Sequence, residues 1–217
     1  MAQIDAVIFD LDGVLVDTEH VWDDARKELA RERGRPWPED ASRAMMGMSS
    51  LEWSRYMHEV VGLPEPPEEI SAEVVRRLQD IYRRELPLFD GAVSAVERLA
   101  KHWPLGLASS SNRELIDLVL ELAGLAEYFR ATVSSEEVPR GKPAPDVYLE
   151  TARRLAADPK RCAAVEDSEN GIRSAKAAGM RVLAIPNALY PPAKDALALA
   201  DDALASLEEL TPERVDP

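Results

Sequence analysis

Short apolar runs alternate along the chain with longer stretches of helical spacing. Ala6-Val7-Ile8, Leu105-Gly106-Leu107-Ala108, Ala131-Thr132-Val133 and the segments 162–165, 181–185 and 202–204 have the length and apolar character of buried strands. Residues 93–102, 114–123, 145–156 and 168–178 place apolar side chains three and four apart, as a helix with one buried face does. Gly124 and Gly179 mark two helix ends, and Pro145 opens a helix in which Asp146 lies near the positive end of the dipole. Such alternation predicts an α/β fold, a parallel sheet covered by helices on both faces. Ligands of such sheets bind at the carboxyl ends of the strands.

One segment breaks the alternation. Residues 18–86 contain no convincing strand, are rich in Ala, Arg, Glu and Leu, and are divided by Gly34-Arg35-Pro36, Gly47 and the 62–67 stretch into about four helices. The expected organisation is a core of 1–17 and 87–217 with an inserted all-helical cap at 18–86. The chain crosses between them near Asp17-Thr18 and Glu85-Leu86-Pro87. These crossings are expected to act as hinges, and the tail after Thr211 is expected to fray.

Composition narrows the class. The 217 residues, 46% apolar and 30% charged, describe an ordinary globular chain large enough for a full core. A net charge of −14 excludes general nucleic-acid binding, which needs a basic face. No apolar run reaches the ~18 residues of a membrane span, and no basic-then-apolar leader precedes the first strand. The lone Cys162 sits in an apolar run and reads as a buried, inert thiol, while His58 and His102 read as ordinary helix residues. A cytoplasmic protein, monomeric or weakly dimeric, is expected.

The chemistry begins at Phe9-Asp10-Leu11-Asp12-Gly13, where two carboxylates two residues apart leave the first strand on one side. Carboxylates sharing one site repel unless a cation or a proton intervenes, which suggests a hard divalent metal and phosphate chemistry. Ser109-Ser110-Ser111-Asn112 ends the second strand, Arg140-Gly141-Lys142-Pro143 carries one Lys in a loop, and Glu166-Asp167-Ser168 ends a later strand. All fall at or just beyond strand ends, so the topology predicts one shared site. Ser168 reads as a helix N-cap and Gly171 as a point of close helix packing.

Together these four motifs, including "GKPAPD" and "EDSENGIRSAKAAGM", resemble the haloacid dehalogenase superfamily, and within it the β-phosphoglucomutase and phosphoglycolate phosphatase branch. The resemblance spans essentially the whole chain and implies a Rossmann-like core with a mobile helical cap. It implies an Mg²⁺-dependent phosphatase for a small phosphomonoester, with Asp10 as nucleophile forming an aspartyl-phosphate and Asp12 as general acid and base. It further implies that Ser109 holds phosphoryl oxygens and that Lys142 balances charge. Asp10, Asp167 and the Asp12 backbone carbonyl would hold the metal, with Glu166 assisting directly or through water. Ser109, Ser110, Asn112, Gly47 and Ser50 are the expected substrate contacts.

The chain departs from the mutase pattern in the cap. Trp22 stands where a His is expected, with His20 two residues earlier; Ser50 replaces an Arg and Asn112 a Lys. Arg43 and Arg55 are the candidate substitutes, and Met45, Met46, Met48 and Trp53 suggest an apolar lining. A second phosphate would lack cationic partners, so hydrolysis is expected over phosphomutase chemistry. Two readings from another class, a phospho-accepting receiver module and a catalytically dead binding protein, fit less well. A receiver places its acidic pair after the first strand and its acceptor Asp later, and the dead reading must ignore the intact set Asp10, Asp12, Ser109, Lys142 and Asp167.

Overall fold

The computed structural model describes residues 3–187 and 191–217. Six strands, β1 (Ala6–Phe9), β2 (Leu105–Ser109), β3 (Phe129–Ser134), β4 (Cys162–Glu166), β5 (Arg181–Ala184) and β6 (Asp202–Ala203), form one parallel sheet in the order β3-β2-β1-β4-β5-β6. Each expected strand is present, with ends shifted by one or two residues. β1 lies in the middle, and the strand order reverses between β1 and β4, which opens a crevice at their carboxyl ends. A receiver's order is different, 2-1-3-4-5.

The period of two along β1 decides which helices cover which face. Val7 and Phe9 share a core with Leu105 and Leu107, with Val96 and Leu99 of α5 (Ala92–Ala100), and with Ile116 and Val119 of α6 (Arg113–Leu122). Ala6 and Ile8 point the other way, into a core with Val147, Tyr148 and Ala152 of α7 (Asp146–Arg154) and Ile172 and Ala175 of α8 (Glu169–Ala177). Phe9 also meets Phe129 edge-on at 6.0 Å.

The helical insert contains α1 (Glu19–Glu32), α2 (Ala41–Ala44), α3 (Ser50–Tyr56), a π-helical turn over Met57–Val61, and α4 (Pro67–Arg84). Gly62, at φ 83°, ends the π turn, and His58 Nδ1 lies 2.9 Å from the carbonyls of both Leu63 and Glu65 there, a structural role. The two crossings run side by side: the Asp17 N–H donates to Pro87 O at 2.7 Å and the Phe89 N–H to Leu15 O at 3.0 Å. The cap lies on the core through Ser110 Oγ donating to Gly47 O at 3.3 Å and Gln79 Nε2 donating to Glu114 Oε2 at 2.9 Å.

The tail corrects one expectation. Residues Pro212–Val215 form a last short helix, Val215 is fully buried, and Arg214 pairs with Asp202 at 2.6 and 2.9 Å. The buried Val and the ion pair hold the end where polarity alone suggested fraying. Cys162 is buried, donates to Asp158 O at 3.3 Å, and burial pushes its thiol up to about 12, so it is inert at neutral pH. Among the described residues no helix is long and apolar enough to cross a membrane.

Candidate active site

Register builds the site. Phe9 pairs with Val165, and the Asp10 N–H donates to Val165 O at 3.0 Å, so Asp10 leaves β1 beside Glu166, the last residue of β4. Asp167 follows, and a ligand oxygen from each of Asp10, Glu166 and Asp167 lies within 4.8 Å of the others, all three residues buried. Lys142 arrives from the loop after β3, 3% exposed, and its ammonium donates to Asp10 Oδ1 at 2.8 Å and to Glu166 Oε1 at 2.6 Å. Tyr148 of α7 donates its hydroxyl to the same Glu166 oxygen at 2.6 Å and presents its ring to the ammonium at 5.1 Å.

Two glycines let the carboxylates fit. A Cβ at Gly13, where φ is +81°, would lie 2.0 Å from Asp167 Oδ2; one at Gly171 would lie 1.9 Å from Glu166 Oε2. The close approach expected at Gly171 is therefore made by a carboxylate. Ser168 caps α8 as expected, its Oγ accepting from the Gly171 N–H at 3.1 Å.

Burial pushes Asp10 up to about 8; the Lys142 charge opposes this, and Glu166 adds to it. Asp167 is raised well above the carboxylate range, again by burial and then by Glu166 and Asp10. Burial alone would lower Lys142, but the attraction of Asp10 and Glu166 outweighs it and holds the ammonium charged. One ammonium therefore faces three buried carboxylates, and Asp167 Oδ2 is buried with no hydrogen-bond donor. An all-oxygen, electron-rich donor set short of positive charge fits Mg²⁺. Both Glu166 oxygens are already engaged, Oε1 by Lys142 and Tyr148 and Oε2 by the Asp167 N–H and Ser168, so its share in holding a metal would be indirect.

Asp12 turns away from this cluster. Its Oδ1 accepts from Thr18 Oγ1 at 2.5 Å and Trp22 Nε1 at 3.1 Å, and its Oδ2 from Ser111 Oγ at 2.7 Å.

A cleft opens above these groups, lined by Asp10, Asp12, Lys142 and Asp167 from below and by Trp22, Met45, Met46, Gly47, Met48 and Trp53 from the cap. The methionines and Trp53 form the lining expected of them, and Gly47 and Ser110 also reach it. The Ser109 hydroxyl is fully buried and accepts from the Ser111 N–H at 3.0 Å, so the side chain holds the loop whose next two residues face the cleft. Ser50 and Asn112 line a separate depression, where Asn112 donates to Glu136 at 2.7 Å. Their expected place in the substrate cleft is corrected: α3 turns Ser50 away, and Glu136 draws Asn112 aside. Arg43 and Arg55 are exposed and line no part of the cleft.

Sequence reasoning missed Thr18, Glu19, Arg26, Ser111 and Tyr148. Thr18 and Ser111 adjoin motifs already singled out, whereas Arg26 and Tyr148 carry only ordinary helical periodicity and give no signal before folding. Burial, then the charge of Asp12, pushes Glu19 up to about 7.

Residues 4–179 match the family of haloacid dehalogenase-like hydrolases. The chain is 36% identical over 217 residues to hexitol phosphatase B of Escherichia coli K12, covering 96% of this chain and 95% of that one. The crystal structure of CbbY from Rhodobacter sphaeroides in complex with xylulose 1,5-bisphosphate superposes with a TM-score of 0.88 at 26% identity, covering 99% and 100% of the two chains. The β-phosphoglucomutase of Clostridium difficile, at 23% identity and a TM-score of 0.84 over 98% and 95%, shares the fold. The family match over most of the chain and the phosphatase relative agree: this chain belongs to the haloacid dehalogenase-like hydrolases, as a phosphoric monoester hydrolase.

Proposed function

We propose that the protein hydrolyses a small sugar or polyol phosphate in two displacements at Asp10. The observation that carries this reading is the Lys142 ammonium bridging Asp10 and Glu166 at the floor of a capped cleft. Lys142 engages Asp10 Oδ1, and among the described residues no donor takes Oδ2. That oxygen attacks phosphorus and the bond to the sugar oxygen breaks, leaving the phosphoryl group on Asp10. Asp12 supplies a proton to the departing alkoxide, then takes one from the water that releases phosphate and regenerates the carboxylate. Lys142 and the N–H groups of the loop after β2 stabilise the non-bridging oxygens.

Asp10, Asp167 and the Asp12 carbonyl, supported by Glu166, would hold Mg²⁺, which when bound supplies the charge that keeps Asp10 ionised and offsets the phosphoryl group. Thr18 and Trp22, two of the donors to Asp12, lie where the chain enters the cap. Movement of the cap and the position of Asp12 are therefore linked, and a closed cap keeps stray water from the intermediate.

Hydrolysis is favoured over phosphomutase chemistry because Trp22, Ser50 and Asn112 offer no charge to a second phosphate and Arg43 and Arg55 lie outside the cleft. Arg26 is the sole cap cation at the cleft among the described residues. The test is to supply phosphomonoesters with Mg²⁺, including β-glucose 1-phosphate with a trace of its bisphosphate, and to follow free phosphate and glucose 6-phosphate separately. One phosphate released per ester consumed supports the phosphatase. Efficient isomerisation with little phosphate release establishes the mutase instead.

A further inference from the structure

The cap wall holds a cation that this mechanism does not use. Arg26, on α1, is 8% exposed and lines the cleft. Its guanidinium carbon lies 4.8 Å from the ring centre of Trp22 and 4.7 Å from that of Trp53, and the two indoles meet at 5.8 Å. Among the described residues no hydrogen bond or ion pair holds it, and its Nε is buried with no acceptor. Burial lowers its pKa to about 10, with Glu19, Asp23 and Asp12 opposing that from a distance, so it remains charged at neutral pH.

A desolvated guanidinium without acceptors is costly, and two aromatic faces offset only part of that cost. The arrangement makes sense when an entering molecule brings the oxygens. Those oxygens belong to a group that can donate as well as accept, because the carboxyls of Glu19 and Asp12 line the same cleft. Hydroxyl groups do both, accepting from the guanidinium and donating to a Glu19 carboxyl oxygen, which an ionised phosphate or carboxylate cannot do. A planar fork resting against two rings suits neighbouring oxygens, which a Lys point charge does not. Met45, Met46 and Met48 supply an adaptable surface for the carbon chain.

We propose that Arg26 is a specificity-determining residue, donating to hydroxyl oxygens of a neutral polyol that carries the phosphate. This rests on the phosphatase reading of the same cleft.

The test compares wild type, Arg26→Gln and Arg26→Lys on sorbitol 6-phosphate, 2-phosphoglycolate and p-nitrophenyl phosphate, with Mg²⁺ present. The ratio of kcat/KM for sorbitol 6-phosphate to that for p-nitrophenyl phosphate is expected to fall about tenfold or more in Arg26→Gln, mainly through KM, and about threefold or more in Arg26→Lys. Arg26→Lys keeps the stem and the charge, so its ratio decides the matter if Arg26→Gln does not fold. A ratio within about twofold of wild type in either folded variant overturns the assignment while leaving the phosphatase intact. A larger loss on 2-phosphoglycolate than on the polyol ester overturns it in favour of a carboxylate. Wild-type protein inactive on all three esters defeats the phosphatase reading, and this one with it.

Discussion

Gly171 and Glu166 share a space that admits one of two things: the buried carboxylate now there, or a Cβ, which would lie 1.9 to 2.0 Å from three of its atoms. Glu166 in turn anchors Lys142, which holds Asp10. A helix glycine thereby reaches Asp10, the proposed nucleophile, through a chain of three contacts.

Gly171→Ala is expected to push Glu166 out of reach of Lys142. The overpacking should lower stability by about 1–3 kcal/mol. Turnover should fall more than the melting temperature suggests, because the Lys142 bridge is disturbed. Full activity in folded Gly171→Ala protein, measured by phosphate release, would show that the bridge is dispensable.

Asp10→Asn is expected to keep the fold and lose on the order of 10³-fold or more in kcat, since the nucleophile and a metal donor go together. EDTA should likewise silence the wild-type enzyme, Mg²⁺ should restore it, and Ca²⁺ should inhibit, its looser shell suiting in-line attack poorly. Asp167→Ala should weaken Mg²⁺ use. Activity that survives exhaustive chelation contradicts the metal assignment.

Lys142→Met removes the ammonium from between Asp10 and Glu166 and leaves buried carboxylates without their counter-charge. Breaking such a pair costs about 3–5 kcal/mol, and urea denaturation of metal-free protein at neutral pH should show a loss of that order. A loss near zero would mean that water or protonation replaces Lys142 at little cost.

Glu19 gives a pH signature. Its folded-state pKa, about 7, lies above the ordinary value of 4.5, so the folded state retains the proton. Its contribution to stability is full below about pH 4.5 and is lost as pH rises through 7. Glu19→Gln cannot ionise and should lose less stability than wild type between pH 5 and 8, by about 1–2 kcal/mol after allowing for solvent screening. Parallel stability curves for the two proteins would refute this account of Glu19.

The sequence by itself determined the alternation of strand and helix, the place of the helical insert, and the chemistry-bearing residues that follow each strand. These are local properties: apolar period, glycine and proline punctuation, and carboxylates beside a strand end. Even Gly171 was legible as a close approach, though not what approached it. Only the tertiary structure decided which groups meet. The parallel register brought Asp10 beside Glu166 across more than 150 residues of chain, and α7 carried Tyr148 to them, a residue that its own helix presents as plain core. Packing in the cap put Arg26 against Trp22 and Trp53 and left Arg43 and Arg55 in solvent, although all three are arginines in helix-forming sequence. A side chain's charge is written in the sequence, but whether it faces a cleft or water depends on the rotation of its helix against its neighbours, which contacts distant in the chain set.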